Sequence, residues 1–238
     1  MTMTTHAEPD APLAPPTRAA VFSVNDATVK GARGPVYGPV TVASTAPITL
    51  VLGNRGSGRT SFLLSLAGRM RTHTGTMTVL GNNARTDAAA VRRLTGIAGF
   101  DAIDLLEATA QVNEAIRERV TWASPWYRRV PHLTPARVHE LLNPVFGSLA
   151  QPTPTALIRD LTEGQELLLR VALALIEKPA MVLVDDLDDV KDPRERAAVA
   201  DRLAYLASQG LYFVVGSADE RDVALFSPES RAIVTLAR

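Results

Sequence analysis

The stretch Gly53-Asn54-Arg55-Gly56-Ser57-Gly58-Arg59-Thr60 fits the phosphate-binding P-loop pattern at every defined position except one. The pattern has lysine where this chain has Arg59. The apolar run 48–52 predicts a buried strand before the loop, and the periodicity of 61–70 predicts a helix after it. Such a loop presents backbone N–H groups and a helix N-terminus to an anion. The alternative, a glycine-rich turn without a ligand, is less favoured because both flanks have the expected pattern.

Composition limits the class of protein. The chain has 238 residues, 46% of them hydrophobic, which is enough for one sizeable α/β domain or two small ones. Its apolar runs are far shorter than the ~18 residues typical of a membrane span, and no signal peptide is evident. The absence of cysteine excludes disulfides and thiolate metal sites. A balance of 25 basic and 25 acidic residues argues against nucleic-acid binding through a broad basic face.

The pattern along the chain predicts an α/β fold. Residues 1–18 are rich in proline, threonine and alanine and are expected to form a disordered tail, which leaves 19–238 as the folded domain. Short β-like runs in 20–42 predict a small antiparallel β subdomain. Alternating strands and helices predict a mostly parallel sheet with helices on both faces. A helical insert interrupts this alternation, and the helical subdomain is expected at about 104–175.

A second motif follows the strand-like run 181–184, which ends in Asp185 and Asp186 and resembles a Walker B strand. In such a strand the first acid holds Mg²⁺ directly or through water. The second would polarise an attacking water molecule as a general base. The alternative is a core strand that ends in solvated carboxylates, and solvation is the expected state of Asp188 and Asp189.

The segment Leu161-Thr162-Glu163-Gly164-Gln165 lies about twenty residues before the two acids. The order of P-loop, helical insert, this segment and the acidic strand resembles the nucleotide-binding subunit of ABC transporters, from about residue 20 to 225. The resemblance implies a head-to-tail dimer, with ATP between the P-loop of one subunit and the signature segment of the other. Thr162 and Gly164 would then contact the γ-phosphate, and Glu163 would point to solvent. The same residues also predict a plain N-capped helix.

Departures from the family pattern predict slow ATP hydrolysis. Asp186 stands where the family has glutamate, and Ala218 stands where it has a histidine that contacts the γ-phosphate. The glutamine expected near 99–101 and the adenine-stacking aromatic expected near 31–33 are absent, although Arg33 could stack instead. Together with Arg59 these changes predict slow turnover at best.

Three aromatic residues of the helical insert, Trp122, Trp126 and Tyr127, are interpreted mainly as local core. In the family this region meets the membrane-spanning partner, so an exposed cluster there would be a docking surface.

The sequence therefore predicts an ATP-binding subunit of an ABC-type transporter or related membrane complex, which hydrolyses ATP slowly if at all. The alternative is a nucleotide-binding pseudo-ATPase with a regulatory or structural role. The expected cofactors are ATP and Mg²⁺, and the expected partners are a membrane-spanning subunit and a second ATP-binding subunit, identical or different. The expected location is cytoplasmic, peripheral to the inner face of the membrane through a partner.

Candidate residues fall into three groups. The catalytic candidates are Asp186, Asp185 and Arg59, and the metal ligands are Thr60 and Asp185. The nucleotide-binding candidates are Gly53, Asn54, Arg55, Gly56, Ser57, Gly58, Arg59, Thr60, Ser61, Thr162, Gly164 and Gln165.

Overall fold

A computed structural model describes residues 20–32, 34–101, 103–127 and 129–236. The predicted tail, 1–18, and Arg33 lie outside the described residues. The strands are β1 (Phe22–Gly31), β2 (Gly34–Ser44), β3 (Ile48–Leu52), β4 (Thr74–Val79), β5 (Asn82–Asn83), β6 (Thr95–Ala98), β7 (Met181–Val184), β8 (Tyr212–Ser217) and β9 (Arg231–Thr235). The helices are α1 (Arg59–Leu66), α2 (Ala88–Leu94), α3 (Val112–Ala123), α4 (Pro135–Phe146), α5 (Glu163–Leu175) and α6 (Pro193–Ser208).

A parallel sheet forms the centre of the fold. Its five strands have the order β6-β7-β8-β3-β9, and each neighbouring pair is parallel. A second sheet of four strands has the order β2-β1-β4-β5 with antiparallel pairing. The predicted combination of a parallel core and a small antiparallel sheet is confirmed. Because the carboxyl ends of parallel strands meet at one edge, the loops after β3, β7 and β8 come together there.

Both faces of the parallel sheet are buried. Along β3, Leu50 belongs to the core shared with α5 and α6, whereas Val51 belongs to the core shared with α1 and the antiparallel sheet. The same alternation separates Val182 from Leu183 on β7. A strand covered on both faces has no polar side, which is why the sequence shows continuous apolar runs here.

Tyr37 joins the antiparallel sheet to the helix after the P-loop. Its ring packs edge-on against Phe62 at 5.5 Å between centroids, and its hydroxyl donates a hydrogen bond to Ser65 at 2.8 Å. Burial raises the pKa of this phenol. The side chain of Tyr37 is therefore directed inward, and the ring is not free to stack on a base.

Helix α5 begins directly after Thr162, in agreement with the N-capped helix that the sequence predicts. The hydroxyl of Thr162 accepts a hydrogen bond from the backbone N–H of Gln165, and the Gln165 side chain accepts one from the backbone N–H of Thr162. This is the reciprocal capping box that the sequence suggested. Helices α3, α4 and α5 fall in the predicted helical segment, whose exact boundaries stay a prediction.

Three element boundaries differ from the sequence expectation. Helix α1 ends at Leu66 because Gly68 adopts a left-handed φ of 65° and turns the chain, so the helix does not continue to residue 70. Within 20–42, where short β-like runs were expected, the first strand extends over ten residues, and β9 was not predicted. Strand β9 lies at the sheet edge and is mostly part-exposed, so its residues lack a strong apolar pattern. No helix in the four described ranges is long and apolar enough to cross a membrane.

Candidate nucleotide site

The P-loop follows β3 and leads into α1 with an open helix N-terminus. Gly58 precedes α1 with φ 85° and lies so close to β2 that a Cβ there would be 2.3 Å from the Val36 carbonyl oxygen. No side chain caps this helix, and its first turn has no acidic residue. The loop lines a cleft of ≈ 930 Å³ together with residues of β2. Its unpaired N–H groups are therefore suited to an anionic ligand.

Arg59 does not extend freely into this cleft. Only 6% of its side chain is exposed, and Nη1 donates to the Gly53 carbonyl oxygen at 2.6 Å. Nε donates to Asp185 Oδ1 at 3.5 Å, while Nη2 contacts Asp186 and lies 3.8 Å from Asp188 Oδ1. All three guanidinium nitrogens thus have acceptors within the chain. The predicted role of Arg59 in holding phosphate requires it to leave these partners.

Gly216 on β8 leaves room for the arginine. A Cβ at this position would lie 2.7 Å from Asp185 Oδ1, 2.9 Å from Leu63 Cδ1 and 3.1 Å from Arg59 Cδ. Sequence reasoning missed this residue, although a lone glycine in an apolar strand is a known sign of close approach.

The two acids after β7 are in different environments. Asp185 is 1% exposed, and burial raises its pKa to about 6 in spite of hydrogen bonding with Thr60 and the charge of Arg59. Asp186 adopts a left-handed φ of 49° and is partly exposed. Burial also raises its pKa, opposed by Arg59. Asp186, the predicted general base, is thus held as the partner of a guanidinium.

The expectation that Asp188 is solvated is wrong. Its Oδ1 accepts a hydrogen bond from the backbone N–H of Ala218 at 2.8 Å, at the position where a histidine was expected. Asp189 is more exposed and pairs with Arg55 of the P-loop at 3.5 Å and with Lys191 at 3.0 Å. The acidic loop is therefore joined to the P-loop by two arginines.

Several hydrogen-bond donors of the signature segment are already engaged. The Gly164 N–H donates to Glu195 Oε2 of α6 at 3.2 Å, and the Thr162 and Gln165 groups bond one another. Glu163 is exposed as expected, but its carboxylate accepts from the Lys191 N–H at 2.5 Å. The place of an anion at this helix N-terminus is taken by a carboxylate of the same chain.

The predicted nucleotide-binding residues therefore form two groups. The first is the P-loop segment, Gly53, Asn54, Arg55, Gly56, Ser57, Gly58, Arg59, Thr60 and Ser61, of which all but Gly53 and Ser57 line the cleft, with Asp186 on the cleft wall. The second, Thr162, Gly164 and Gln165, lines a separate cavity of ≈ 160 Å³ beside α4 and α6. One chain does not bring the two groups together, which agrees with a site that two subunits complete.

A further link joins the cleft to α5. Asp101 lines the cleft and pairs with the buried Arg170 of α5 at 3.5 Å between Asp101 Oδ1 and Nη1. Arg170 also contacts Glu166 at 2.6 Å and Asp104 at 3.8 Å. Burial raises the pKa of Asp104, opposed mainly by Arg170. Sequence reasoning found no glutamine here and did not identify the acids that occupy this segment.

The site fits a phosphate group better than a metal ion. The uncapped first turn of α1 and the close-packed Gly58 suit phosphate oxygens. Asp185 and Asp186, in contrast, already share a permanent cation in Arg59. Among the described residues, no group of three or more acidic or histidine side chains is arranged to hold a metal ion. The predicted Mg²⁺ ligands, Thr60 and Asp185, therefore do not form a ready metal site in this arrangement.

The fold and the loop define a P-loop nucleotide-binding cassette. The family model described as ABC transporter matches residues 43–188, more than half of the chain. The protein therefore belongs to the ABC transporter family of ATP-binding proteins.

Two curated relatives illustrate the sequence relationship. The ribose import ATP-binding protein RbsA of Cereibacter sphaeroides is 28% identical over 196 residues, 80% of this chain and 35% of that protein. The Nod factor export ATP-binding protein I of Rhizobium meliloti is 29% identical over 161 residues, 67% of this chain and 45% of that protein. The chain thus spans about a third to a half of the length of these relatives.

Solved structures confirm the fold. A bacterial ABC transporter cassette solved as a dimer superposes with a TM-score of 0.69 at 15% identity, covering 90% of this chain and 94% of that one. The ADP conformation of another ATP-binding cassette gives a TM-score of 0.65 at 14% identity, covering 84% and 81%. At such identities the likeness concerns the fold alone.

We expect Gly216→Ala to lower the free energy of unfolding by about 1–3 kcal/mol, because the new methyl group overlaps Asp185 and Leu63. Chemical denaturation measures the change. Gly31→Ala is the matched control, since its nearest neighbour would be 3.3 Å away, and it should cost less than about 1 kcal/mol. Equal losses in both variants would show that the space beside Asp185 is not tight.

The pKa of Asp185 predicts a dependence of stability on pH. Its folded pKa of about 6 exceeds its ordinary value of 3.8, so the folded state binds more protons between these values. Its contribution to stability therefore falls as pH rises from about 4 to 6. The stability of the natural protein relative to Asp185→Asn should decrease over this window by at most about 3 kcal/mol.

Denaturation curves at several pH values test this expectation. Asp201→Asn, which removes an exposed carboxyl group on α6, is the charge-matched control. Parallel pH profiles for the natural protein and Asp185→Asn would contradict the expected shift.

Proposed function

We propose that this protein is the ATP-binding subunit of an ABC-type transporter or related membrane complex, binding ATP through its arginine-containing P-loop and hydrolysing it slowly if at all. The observation that carries the proposal is the open N-terminus of α1 behind the P-loop, in a chain of the ABC transporter family. The names of the relatives differ in cargo and direction, so neither is assigned to this chain.

Slow hydrolysis is supported by the state of the proposed catalytic groups. A general base must accept a proton from water, but Asp186 is paired with the guanidinium of Arg59. Aspartate is also one methylene shorter than the glutamate of the family pattern. Ala218 has no side-chain group that could contact the γ-phosphate, and its backbone N–H already donates a hydrogen bond to Asp188. Each of these features weakens the activation of water or the stabilisation of the γ-phosphate.

The alternative, a pseudo-ATPase with a regulatory or structural role, is favoured by the signature segment. In a head-to-tail dimer this segment would face the γ-phosphate bound to the other subunit. Here the Glu195 carboxylate accepts the hydrogen bond of the Gly164 N–H, and Glu163 and Glu166 lie in the first turn of α5. Carboxylates at that place repel phosphate, so this chain is better suited to pairing with a different, competent ATP-binding subunit than to forming two active sites with itself.

ATP is the cofactor of this proposal. The proposal includes Mg²⁺ at Thr60 and Asp185 only for a state in which Arg59 no longer pairs with Asp185 and Asp186. In the present arrangement the chain itself orients the phosphates through the P-loop N–H groups and Ser61 on the first turn of α1.

A membrane-spanning subunit is the proposed partner. The interpretation of the three aromatics as local core is wrong, because Trp122 and Tyr127 are exposed and Trp126 is 95% exposed. Ile103, Leu105 and Trp122 line a groove of ≈ 340 Å³ beside α3. Apolar side chains that none of the described residues covers are suited to docking of a partner helix. Such docking would place the protein at the cytoplasmic face of the membrane.

We expect ATP binding to be detectable by calorimetric titration and to be weakened selectively by Ser61→Glu. The new carboxylate would lie in the first turn of α1, where it repels the phosphates but suits the helix dipole. Ser61→Gln is the neutral control of similar size. The glutamate variant should bind at least about tenfold more weakly than the glutamine variant, a difference of about 1.4 kcal/mol.

Unchanged thermal stability of both variants would confirm that the comparison reports on ligand binding. No heat with the natural protein up to millimolar ATP would overturn the proposal of a nucleotide-binding subunit.

We expect ATP turnover of the natural protein to be far below the rate of about 1 s⁻¹ at the low end of typical enzymes. The double variant Arg59→Lys/Asp186→Glu restores the two residues of the family pattern and should raise the rate by about tenfold or more, whereas either single change should do less. Phosphate release measures the rate. Fast turnover in the natural protein, lost in Asp186→Asn, would contradict this expectation.

A further inference from the structure

Arg59 lies between Asp185 and Asp186, and each nitrogen of its guanidinium group has an acceptor there. Nε faces Asp185, Nη2 faces Asp186 and Asp188, and Nη1 is anchored on the Gly53 carbonyl oxygen. A planar fork that satisfies three directions at once is held more firmly than a single ammonium group. Its position is therefore defined by two loops of the chain, the P-loop and the loop after β7.

The surroundings are shaped for this side chain. Gly216 contributes no Cβ where one would overlap both Asp185 and the Arg59 stem. The Arg59 and Asp185 side chains are both nearly fully buried. The Asp186 N–H also donates to Asp185 Oδ1 at 3.0 Å, which orients the carboxylate toward the guanidinium.

A divalent cation would compete with Arg59 for the same oxygen atoms. The guanidinium keeps its charge at every accessible pH, so it cannot yield by losing a proton. Mg²⁺ needs nearly ideal octahedral geometry and retains several water molecules. The guanidinium already fills the space between the buried Asp185 and the partly exposed Asp186, which leaves little room for such an ion. A cation beside Arg59 would also be repelled at a distance of a few ångströms.

We propose that Arg59 takes the place of the divalent cation between Asp185 and Asp186, so that this chain binds a nucleoside triphosphate as well without a metal ion as with one. This inference rests on the proposed nucleotide-binding function. It changes the chemical class of the ligand from a metal–nucleotide complex to the nucleotide anion, held by the P-loop N–H groups and the first turn of α1.

The test compares ATP affinity of the full-length protein in excess EDTA and in excess Mg²⁺ by calorimetric titration. The natural protein should give dissociation constants that agree within about threefold, or less than about 1 kcal/mol. In Arg59→Lys the compact ammonium can reach the phosphates and no longer covers both acids. Mg²⁺ should then tighten ATP binding by about tenfold or more.

Arg117→Lys is the control for the exchange of arginine by lysine. Its side chain is exposed on α3 and forms no ion pair among the described residues. It should bind ATP like the natural protein under both conditions. The comparison of ATP affinity with and without metal in the natural protein tests the proposal by itself. The proposal therefore remains falsifiable even if Arg59→Lys folds poorly.

Each result has a distinct meaning. Binding by the natural protein that Mg²⁺ tightens tenfold or more would overturn this inference and leave the proposed function standing. Arg59→Lys that stays indifferent to Mg²⁺ would also overturn it, because Arg59 would then not be the cause. Absence of ATP binding under both conditions would overturn the proposed function and this inference together.

Discussion

A buried arginine between the carboxylates after β7 is the interaction on which the nucleotide site depends. Arg59 connects the P-loop to Asp185, Asp186 and the Gly53 carbonyl oxygen, so the position of the loop and the state of the acids are coupled. Removing one member of this buried ion pair would leave an uncompensated charge, which lowers the free energy of unfolding far more than losing an exposed ion pair does. The departures from the family pattern are therefore linked, because the arginine that replaces lysine also occupies the acids.

The same principle governs the second half of the predicted site. Glu195 supplies a negative charge to the N-terminus of α5, and the open end of α1 has none. One helix end is therefore neutralised within the chain while the other remains available for an anion. Under the proposed function, this asymmetry gives the two surfaces different roles, with ATP binding at the P-loop and little capacity to complete a partner's site at the signature segment.

Much of the fold could be predicted because its signals are local. The apolar runs of β3 and β7, the glycines of the P-loop and the capping box of Thr162 and Gln165 depend on neighbouring residues alone. Apart from Gly216, the features that were missed have no local signal. Strand β9 is a part-exposed edge, and the exposure of Trp126 depends on which neighbours the fold places beside it.

The sequence by itself determined most of the order of strands and helices, the phosphate-binding loop and the family to which the motifs point, because backbone conformation and periodicity are encoded over short distances. Only the tertiary structure decided where the charges go. Arg59 and Asp186 are 127 positions apart, and Gly164 and Glu195 are 31 apart, so their pairing depends on how the sheet brings distant loops together. The side chains that bear on function are thus named by the sequence, but the packing around them sets whether they face a ligand or one another.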